Sequence, residues 1–373
     1  MDEQLYKYLN DILWWCPFKK LRYLIREYLK KIENIEKENK KIMNHLNFIT
    51  NKMFPENKNI VVVNIGGGFA DQMRAYLATK SLEKFYNKKI LFDISWYETN
   101  GMDNDKKYKR HFEFKNIFKD VEFNLANKDQ IFLAKQSKYI DFWIDFINGR
   151  ALESLKYLKQ EKILYLSGII AFTQFRIEEP NIFKLLKYTD VLRLDKYFIP
   201  LLDEKNKEVY NDIINTKNTV ACHIRRTDYV KFCYYIDLNS DYYKKAFEII
   251  KNKVNDKIKI FFFSDDLDWV KENIVPFIEN IYDYRIVDIN TNEKGYFDFY
   301  LISKCNYQIA SSGNFCKVAY EFNEFENKIL ITSENINADQ TRPDQIVCKE
   351  HILFYNNSKI KKLQHILQYK IAA

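Results

Sequence analysis

The residues best equipped for chemistry lie in one short run, His223-Ile-Arg-Arg-Thr-Asp-Tyr229. Two adjacent guanidinium groups, Arg225 and Arg226, can meet a diphosphate with forked hydrogen bonds. Breaking a sugar–phosphate bond puts charge on the departing diphosphate. A fixed guanidinium can offset that charge in place of a metal. In an extended strand His223 and Arg225 share one face, and Ile224 takes the other. The bland alternative is a surface ion pair of Arg226 with Asp228. The company that this run keeps along the chain outweighs it.

The elements around the run place it. Thr219 to Arg225 is an apolar strand that gives way to a loop, the usual ligand edge of an open α/β sheet. Strands follow at Ile258–Phe263, Arg285–Ile289, Tyr307–Ala310 and Lys328–Thr332. Between them the spacing predicts helices over Tyr242–Lys251, Leu267–Asn273, Tyr296–Lys304 and Phe315–Phe325. An earlier alternation opens with the strand Ile60–Ile65, then Gly66-Gly67-Gly68, a helix over Asp71–Tyr86 and the strand Lys89–Ile94. Lys162–Ile170 is a further strand, and Pro180 could start a helix over Asn181–Tyr188. Asn100 to Gln160 does not resolve into elements, and the charged stretch Thr189–Lys217 is placed as a junction. The fold expected is α/β: two doubly wound, Rossmann-type domains with a cleft between them, the GT-B plan of many sugar transferases. Residues 59–200 would form the acceptor side and 201–345 the nucleotide-sugar side. Residues 346–373 would close the chain with a helix over Lys359–Lys370.

The motifs resemble one superfamily. His223-x-Arg-Arg-x-Asp-Tyr229 is similar to the first motif of the α1,2-fucosyltransferases and the related α1,6- and protein O-fucosyltransferases. Gly67-Gly-Phe-Ala-Asp-Gln-Met73 is similar to the glycine turn that opens the α1,2 family, and Leu91-Phe-Asp-Ile-Ser-Trp96 to its next strand. Phe262-Phe-Ser-Asp-Asp-Leu-Asp-Trp-Val-Lys-Glu-Asn273 resembles its second C-terminal block. Asp298–Ser303 and Ala310–Phe315 resemble the third. The resemblance spans about residues 60 to 335. It implies inverting transfer of fucose from GDP-fucose without a resident cofactor or metal. His223 and Arg225 would hold the diphosphate and fucose, with Arg226 beside them. Ser264, Asp265 and Asp266 would lie along the nucleotide, and Asp298 would accept hydrogen bonds from guanine. Ser311, Ser312 and Asn314, with Phe315, would form the phosphate loop ahead of the last helix. Gly67 and Gly68 would let the N-terminal turn pass close to ligand.

The departures bear on linkage. Ala70-Asp71 stands where the α1,2 family has Gly-Asn, and Thr227 where it has Gly. Cys316-Lys-Val-Ala-Tyr-Glu321 is instead similar to the α1,6 enzymes. The most fitting product is an α1,2 link to a glycan hydroxyl, of a surface polysaccharide or a lipid-linked oligosaccharide. Another GDP-sugar or an α1,6-type link is the alternative. A general base must deprotonate that hydroxyl. Asp228 and Asp71 are both candidates, although Asp228 could instead be held by Arg226 and Asp71 could cap the helix after the glycines. Asp266-Leu-Asp268 and Asp103-Asn-Asp105 fit the Asp-x-Asp string of metal-dependent transferases, a string short enough to recur by chance. The glycines miss both dinucleotide-binding and Walker spacings.

Residues 1–58 read differently. Ile12–Phe18 carries Trp14 and Trp15 ahead of a Lys/Arg cluster, so residues 12–31 suit an anionic membrane surface, or alternatively dock on the protein itself. Leu21, Ile25, Tyr28, Ile32, Ile35, Asn39, Ile42, Leu46 and Ile49 form a heptad seam with Asn39 at an a position. That pattern favours a parallel homodimer through residues 21–49. A coiled-coil membrane scaffold with a degenerate transferase body is the non-enzyme alternative.

Composition bounds the rest. Hydrophobic residues at 47% and charged residues at 29% mark a globular chain, and the +8 charge suits an anionic partner. Its lysines are scattered and no nucleic-acid-binding signature occurs, so nucleic acid is not an expected partner. Six cysteines without a C-x-x-C pair argue against zinc and for a reducing compartment. With no signal pattern and no run of about 18 apolar residues, the expected place is the cytoplasm or the inner face of its membrane.

Overall fold

A computed structural model describes residues 18–53, 59–99, 109–142, 151–168, 188–227, 230, 239–254, 256–311, 313–333 and 345–348. Several sequence expectations lie outside them: Trp14 and Trp15, Asp103 and Asp105, the helix from Asn181, Asp228, Ser312 and the helix over Lys359–Lys370. The chain divides into two compact units, Met1–Lys58 and Asn59–Ala373.

In the first unit a single helix runs over Lys19–Met53. At 1.5 Å per residue it is about 52 Å long. Leu21, Tyr28, Ile32, Ile35 and Ile42 of the heptad seam are exposed, as is Asn39. Among the described residues no helix is long and apolar enough to cross a membrane.

The second unit holds two parallel sheets. The smaller has the order β2-β1-β4-β3, with β1 Ile60–Asn64, β2 Lys89–Asp93, β3 Tyr139–Asp141 and β4 Ile163–Ser167. Val61, Val62 and Val63 are fully buried. A parallel strand covered on both faces needs such a continuous β-branched run. Past β1 the chain turns through three glycines into the helix Phe69–Tyr86. Asn87, in the left-handed region, ends that helix.

The larger sheet has the order β10-β9-β8-β5-β6-β7. Its strands are β5 Thr219–Ile224, β6 Lys259–Ser264, β7 Asp283–Ile286, β8 Tyr307–Ala310, β9 Ile329–Ser333 and β10 Gln345–Cys348. One apolar core runs from the helix after the glycines into the helices Gly295–Lys304 and Phe315–Glu321. Phe69 meets Phe299 edge-on with centroids 5.2 Å apart, and Phe299 meets Phe315 at 5.5 Å.

Most of the expected elements fall where the apolar pattern put them, and other stretches hold elements that it did not show. The strand expected at Arg285–Ile289 forms two to three residues earlier, over Asp283–Ile286. β3 is only three residues long, too short to show an alternation. Lys128–Ser137 is a helix started by a capping box between Asn127 and Gln130. The stretch placed as a junction contains the amphipathic helix Glu204–Asn215, N-capped by Asp203. Its charged face hid a buried stripe of Asn206, Val209 and Ile213.

Phe299 is fully buried between Phe69 and Phe315, so its truncation leaves a cavity where the sheets' helices meet. Phe299→Ala is expected to lower the unfolding free energy by about 4 kcal/mol in urea titrations. Ile281→Ala, at an exposed position, should stay within about 0.5 kcal/mol of the parent.

Candidate active site

β5 lies between β6 and β8, and all three run parallel. From β5 the chain crosses to β6 and β7 on one side, then returns to β8 on the other. The crevice at the carboxyl end of β5 is therefore a topological switch point, where such sheets bind ligands. Three loops meet there: Arg225–Thr227 after β5, Asp265–Asp266 after β6, and the loop from Ser311 after β8. His223 stands in register with Phe263 and Ala310. The Ser311 amide donates to the His223 carbonyl at 3.0 Å, extending the ladder by one rung.

Asp265 organises the arginine loop. Its carboxylate accepts from the Arg226 amide at 2.9 Å and from the amide and hydroxyl of Thr227, and pairs with Arg225 Nη1 at 3.1 Å. Charge-assisted bonds to backbone and guanidinium together fix where Arg225 points. Arg226 pairs with Asp266 at 3.3 Å, and its guanidinium lies 4.1 Å from the Trp269 ring centroid. Arg226 thus has an ion pair with Asp266 on the neighbouring strand's loop, and Asp228 lies outside the described residues. Asp266 also caps the helix Leu267–Asn273 by accepting from the Trp269 amide, and its own amide donates to Ser264 Oγ at 3.0 Å. Asp268, the other carboxylate of that Asp-x-Asp string, is exposed beside Lys271 at 3.4 Å. Among the described residues no three His, Cys, Asp or Glu side chains gather as metal ligands would. The thiols of Cys222, Cys305 and Cys316 are free and buried.

His223 stacks on Phe315 with centroids 5.2 Å apart, and its Nδ1 lies 3.4 Å from Ser311 Oγ. Burial lowers its pKa to about 4, with Arg225 assisting and Asp265 opposing. The imidazole is therefore neutral at pH 7 and can accept or donate a hydrogen bond without adding charge. Asn314 begins the helix Phe315–Glu321 through its carbonyl, and its side chain makes no capping bond.

Asp298 sits in the first turn of the helix Gly295–Lys304. Burial raises its pKa to about 7, and a hydrogen bond from Asn290 at 2.7 Å opposes the rise. Asn290 exchanges two side-chain bonds with Asn206, at 2.9 and 3.0 Å. Asp203 in turn holds Asn206. Sequence reasoning missed this Asn206–Asn290 relay, since the two residues stand 84 positions apart with no motif around either.

The glycine turn forms the same kind of edge on the smaller sheet. Gly67 has φ +87, and a Cβ there would stand 2.6 Å from the Asp71 carboxylate. Tyr97 donates to the Gly67 carbonyl at 3.0 Å. Asp71 accepts from the Gly68 amide, so it caps the helix from within its first turn. Burial raises its pKa, while Arg74, that amide and Arg110 oppose the rise. Gln72, fully buried, donates to the His111 carbonyl and accepts from the amides of Glu113 and Phe114. It thereby anchors a loop bearing Glu113, a carboxyl that burial raises to about 7 against the pull of Arg110. A lone Glu in an unpatterned stretch carried no signal for this.

The profile of glycosyl transferase family 11 matches residues 169–361, which include all three loops around β5. The chain belongs to that family. This family 11 glycosyltransferase is 25% identical over 273 residues to the alpha-1,2-colitosyltransferase of Escherichia coli, covering 69% of this chain and 85% of that one. It is also 25% identical over 296 residues to the O-antigen biosynthesis glycosyltransferase WbnK of Escherichia coli, covering 72% and 92%. Among solved structures, the NodZ alpha-1,6-fucosyltransferase co-crystallised with GDP aligns at 15% identity with a TM-score of 0.42, over 70% of this chain and 92% of that one.

Asp265→Asn removes the charge that pairs with Arg225 and weakens the bonds to the Arg226 and Thr227 amides. Charged hydrogen bonds of about 1.5–3 kcal/mol imply a roughly 10- to 100-fold loss of transferase activity in steady-state assays. Asp268→Asn, at the exposed position, should stay within about two-fold of the parent.

Proposed function

We propose that the chain transfers fucose from GDP-fucose to a glycan hydroxyl, with inversion and without a metal, forming an α1,2 link. The observation that carries this reading is the meeting of Arg225, Asp265, His223 and Ser311 at the switch point after β5. On this reading Arg225 and the loop from Ser311 through Ser312 to Asn314 hold the diphosphate. His223, braced by Phe315, orients it. Ser264 and Asp266 border the nucleotide, and Asp298 reads guanine through its N1–H and N2–H donors. The acceptor oxygen attacks C1 from the side opposite the diphosphate. Its proton passes to a carboxylate base (Asp228, Asp71 or Glu113) while the C1–O bond breaks. The bonding pair leaves with the diphosphate, where Arg225 offsets the new charge.

The similar Escherichia coli proteins, named for α1,2-colitosyl transfer and for O-antigen biosynthesis, support an α1,2 link and a surface-glycan acceptor. The first of them also favours, as a second reading, a donor sugar other than fucose on the same nucleotide. The run Cys316–Glu321 favours an α1,6-type link instead. The two sheets suit the GT-B plan, with residues 59–200 on the acceptor side and 201–345 on the donor side.

Calorimetry with EDTA present tests the donor. GDP and GDP-fucose should bind with similar affinity, UDP-galactose should not, and Arg225→Ala should lose both guanine ligands. Binding that appears only with Mn²⁺, or a preference for the uridine sugar, overturns the reading. Asp298 adds a pH dependence. Its carboxylate is the acceptor form, and protonation around pH 7 removes it. GDP affinity should therefore fall as pH drops from 8 to 6, and IDP, which lacks the N2 donor, should bind about 10-fold more weakly at pH 8.

We further propose that residues 21–49 pair two copies in parallel, with Asn39 meeting its counterpart, and that residues 12–31 contact anionic lipid at a cytoplasmic membrane face. The exposed seam on the Lys19–Met53 helix supports the first part. Deleting residues 1–58 should convert a dimer to a monomer in sedimentation and abolish flotation with anionic vesicles. Turnover on a soluble acceptor should change less than about two-fold; loss of turnover would favour a structural role for this segment.

A further inference from the structure

Asp203, Asn206, Asn290 and Asp298 stand in one hydrogen-bonded row. Asp203 caps the helix Glu204–Asn215, which carries Asn206. Asn290 follows β7, and Asp298 lies in the first turn of the helix Gly295–Lys304. Asp203 Oδ1 accepts from the Asn206 backbone amide at 3.0 Å and from Asn206 Nδ2 at 2.9 Å. The buried Asn206 also donates from Nδ2 to Asn290 Oδ1 at 3.0 Å, and Asn290 Nδ2 donates back to Asn206 Oδ1 at 2.9 Å. Asn290 Nδ2 then donates to Asp298 Oδ1 at 2.7 Å. Both amide groups thus spend every N–H, and the row has a direction. An ionised carboxylate can only accept, so Asp203 takes the amino end of Asn206. Turning one amide alone would set oxygen against oxygen between the two asparagines. Turning both would set the Asn206 oxygen against Asp203. The charge of Asp203 therefore decides that Asn290 shows Asp298 an N–H and not a carbonyl.

We infer that Asn206 and Asn290 are positioning residues: through them Asp203 directs an N–H at Asp298 and fixes that carboxylate as the acceptor for the paired N–H donors of a guanine base. This rests on the donor reading above and adds two residues that act through Asp298. Asn290 takes one lone pair of Oδ1, which leaves Oδ2 and the other lone pair for the ligand. A bond donated to the charged form favours that form. Without the row, Asn290 could turn its oxygen to Asp298, a pairing that only the protonated acid can make. The helices packed around that of Asp298 bring other charges. Asp203 also meets Lys294 at 3.5 Å, and the Asn206 donors foremost, then Lys294, hold its carboxyl below the usual range. Glu208 and Asp212 pair with Arg285, and Asp195 meets Tyr300 and Lys304. Tyr296 faces Glu113 and Asp203, while Arg74 faces Asp71 and Lys317. What acts on the Asp298 carboxyl is burial, which raises its pKa to about 7, and the Asn290 bond, which opposes the rise. Losing the bond lets Asp298 keep its proton to higher pH, so guanine affinity should fall at a higher pH than in the parent.

The test compares the full chain with Asn290→Leu and Asn206→Leu by calorimetry between pH 6 and 9. GDP is the probe, and inorganic pyrophosphate, which has no base, gives the baseline. Asn290→Ala and Asn206→Ala stand in where a leucine variant does not unfold cooperatively. Both variants should move the midpoint of the GDP profile up by about one pH unit. They should bind GDP about 5-fold more weakly than the parent at pH 7 and within about two-fold of it at pH 9, with pyrophosphate unchanged. The decisive arm is Asn206, since it acts on Asp298 only by way of Asn290. A loss of GDP affinity by the same factor at every pH would mark both asparagines as structural and overturn the inference. A profile that stays where the parent's lies would overturn it as well. If the parent binds no GDP, the donor reading fails by itself, and a carbon-13 carboxyl NMR titration without ligand decides the row. The Asp298 resonance, identified by its loss in Asp298→Asn, should titrate about one pH unit higher in both variants. That shift sustains the row, and an unmoved midpoint overturns it.

Discussion

A parallel strand reaches its neighbour only through a crossover that carries the chain back to the opposite edge of the sheet. In this chain that constraint sends β5 to β6 on one side and brings β8 in on the other. Each strand delivers its following loop to the same edge. The chemistry depends on this arrangement, because no one loop holds a complete site. Arg225 gains its direction from Asp265, 40 residues away, and His223 its brace from Phe315, farther still. Were β5 at the edge of the sheet, at least one of these partners would be out of reach.

The same edge shows a division between charges that build the site and charges available to act. Asp265 and Asp266 were expected along the nucleotide. Both are engaged with the arginine loop, Asp265 through two backbone amides and a guanidinium. Such a carboxylate offers little to a second negative group and much to the placement of the first positive one. Asp298 and Glu113 are the contrast. Each is a carboxyl raised toward neutrality by burial, with few compensating donors. Groups in that condition exchange protons, or change their hydrogen-bonding role, near the pH at which enzymes work.

Aromatic packing joins the helices of the two sheets. Phe69, Phe299 and Phe315 form an edge-on series that runs from the glycine-turn helix to His223. This ties the turn at the smaller sheet's edge to the arginine edge of the larger one. Aromatic contacts of this kind are geometrically specific while leaving no polar group to satisfy. The abundance of Tyr and Phe in the composition thus has a structural use at this junction.

The amino-acid sequence by itself determined the alternation of strands and helices, the glycine turn and the run from His223 to Arg226. Each of these is a local matter: apolar period, β-branched content, and a strand that ends in charge. It also determined the family resemblance, since five motifs in order survive any uncertainty about their contacts. Only the tertiary structure decided that Asp266 meets Arg226, 40 positions away, through strand order. It alone revealed Asn290 and Asn206 behind Asp298, and Gln72 beneath the Glu113 loop. Those relations join positions dozens of residues apart, and they arise from burial and crossover geometry. Neither leaves a periodic trace in a linear sequence.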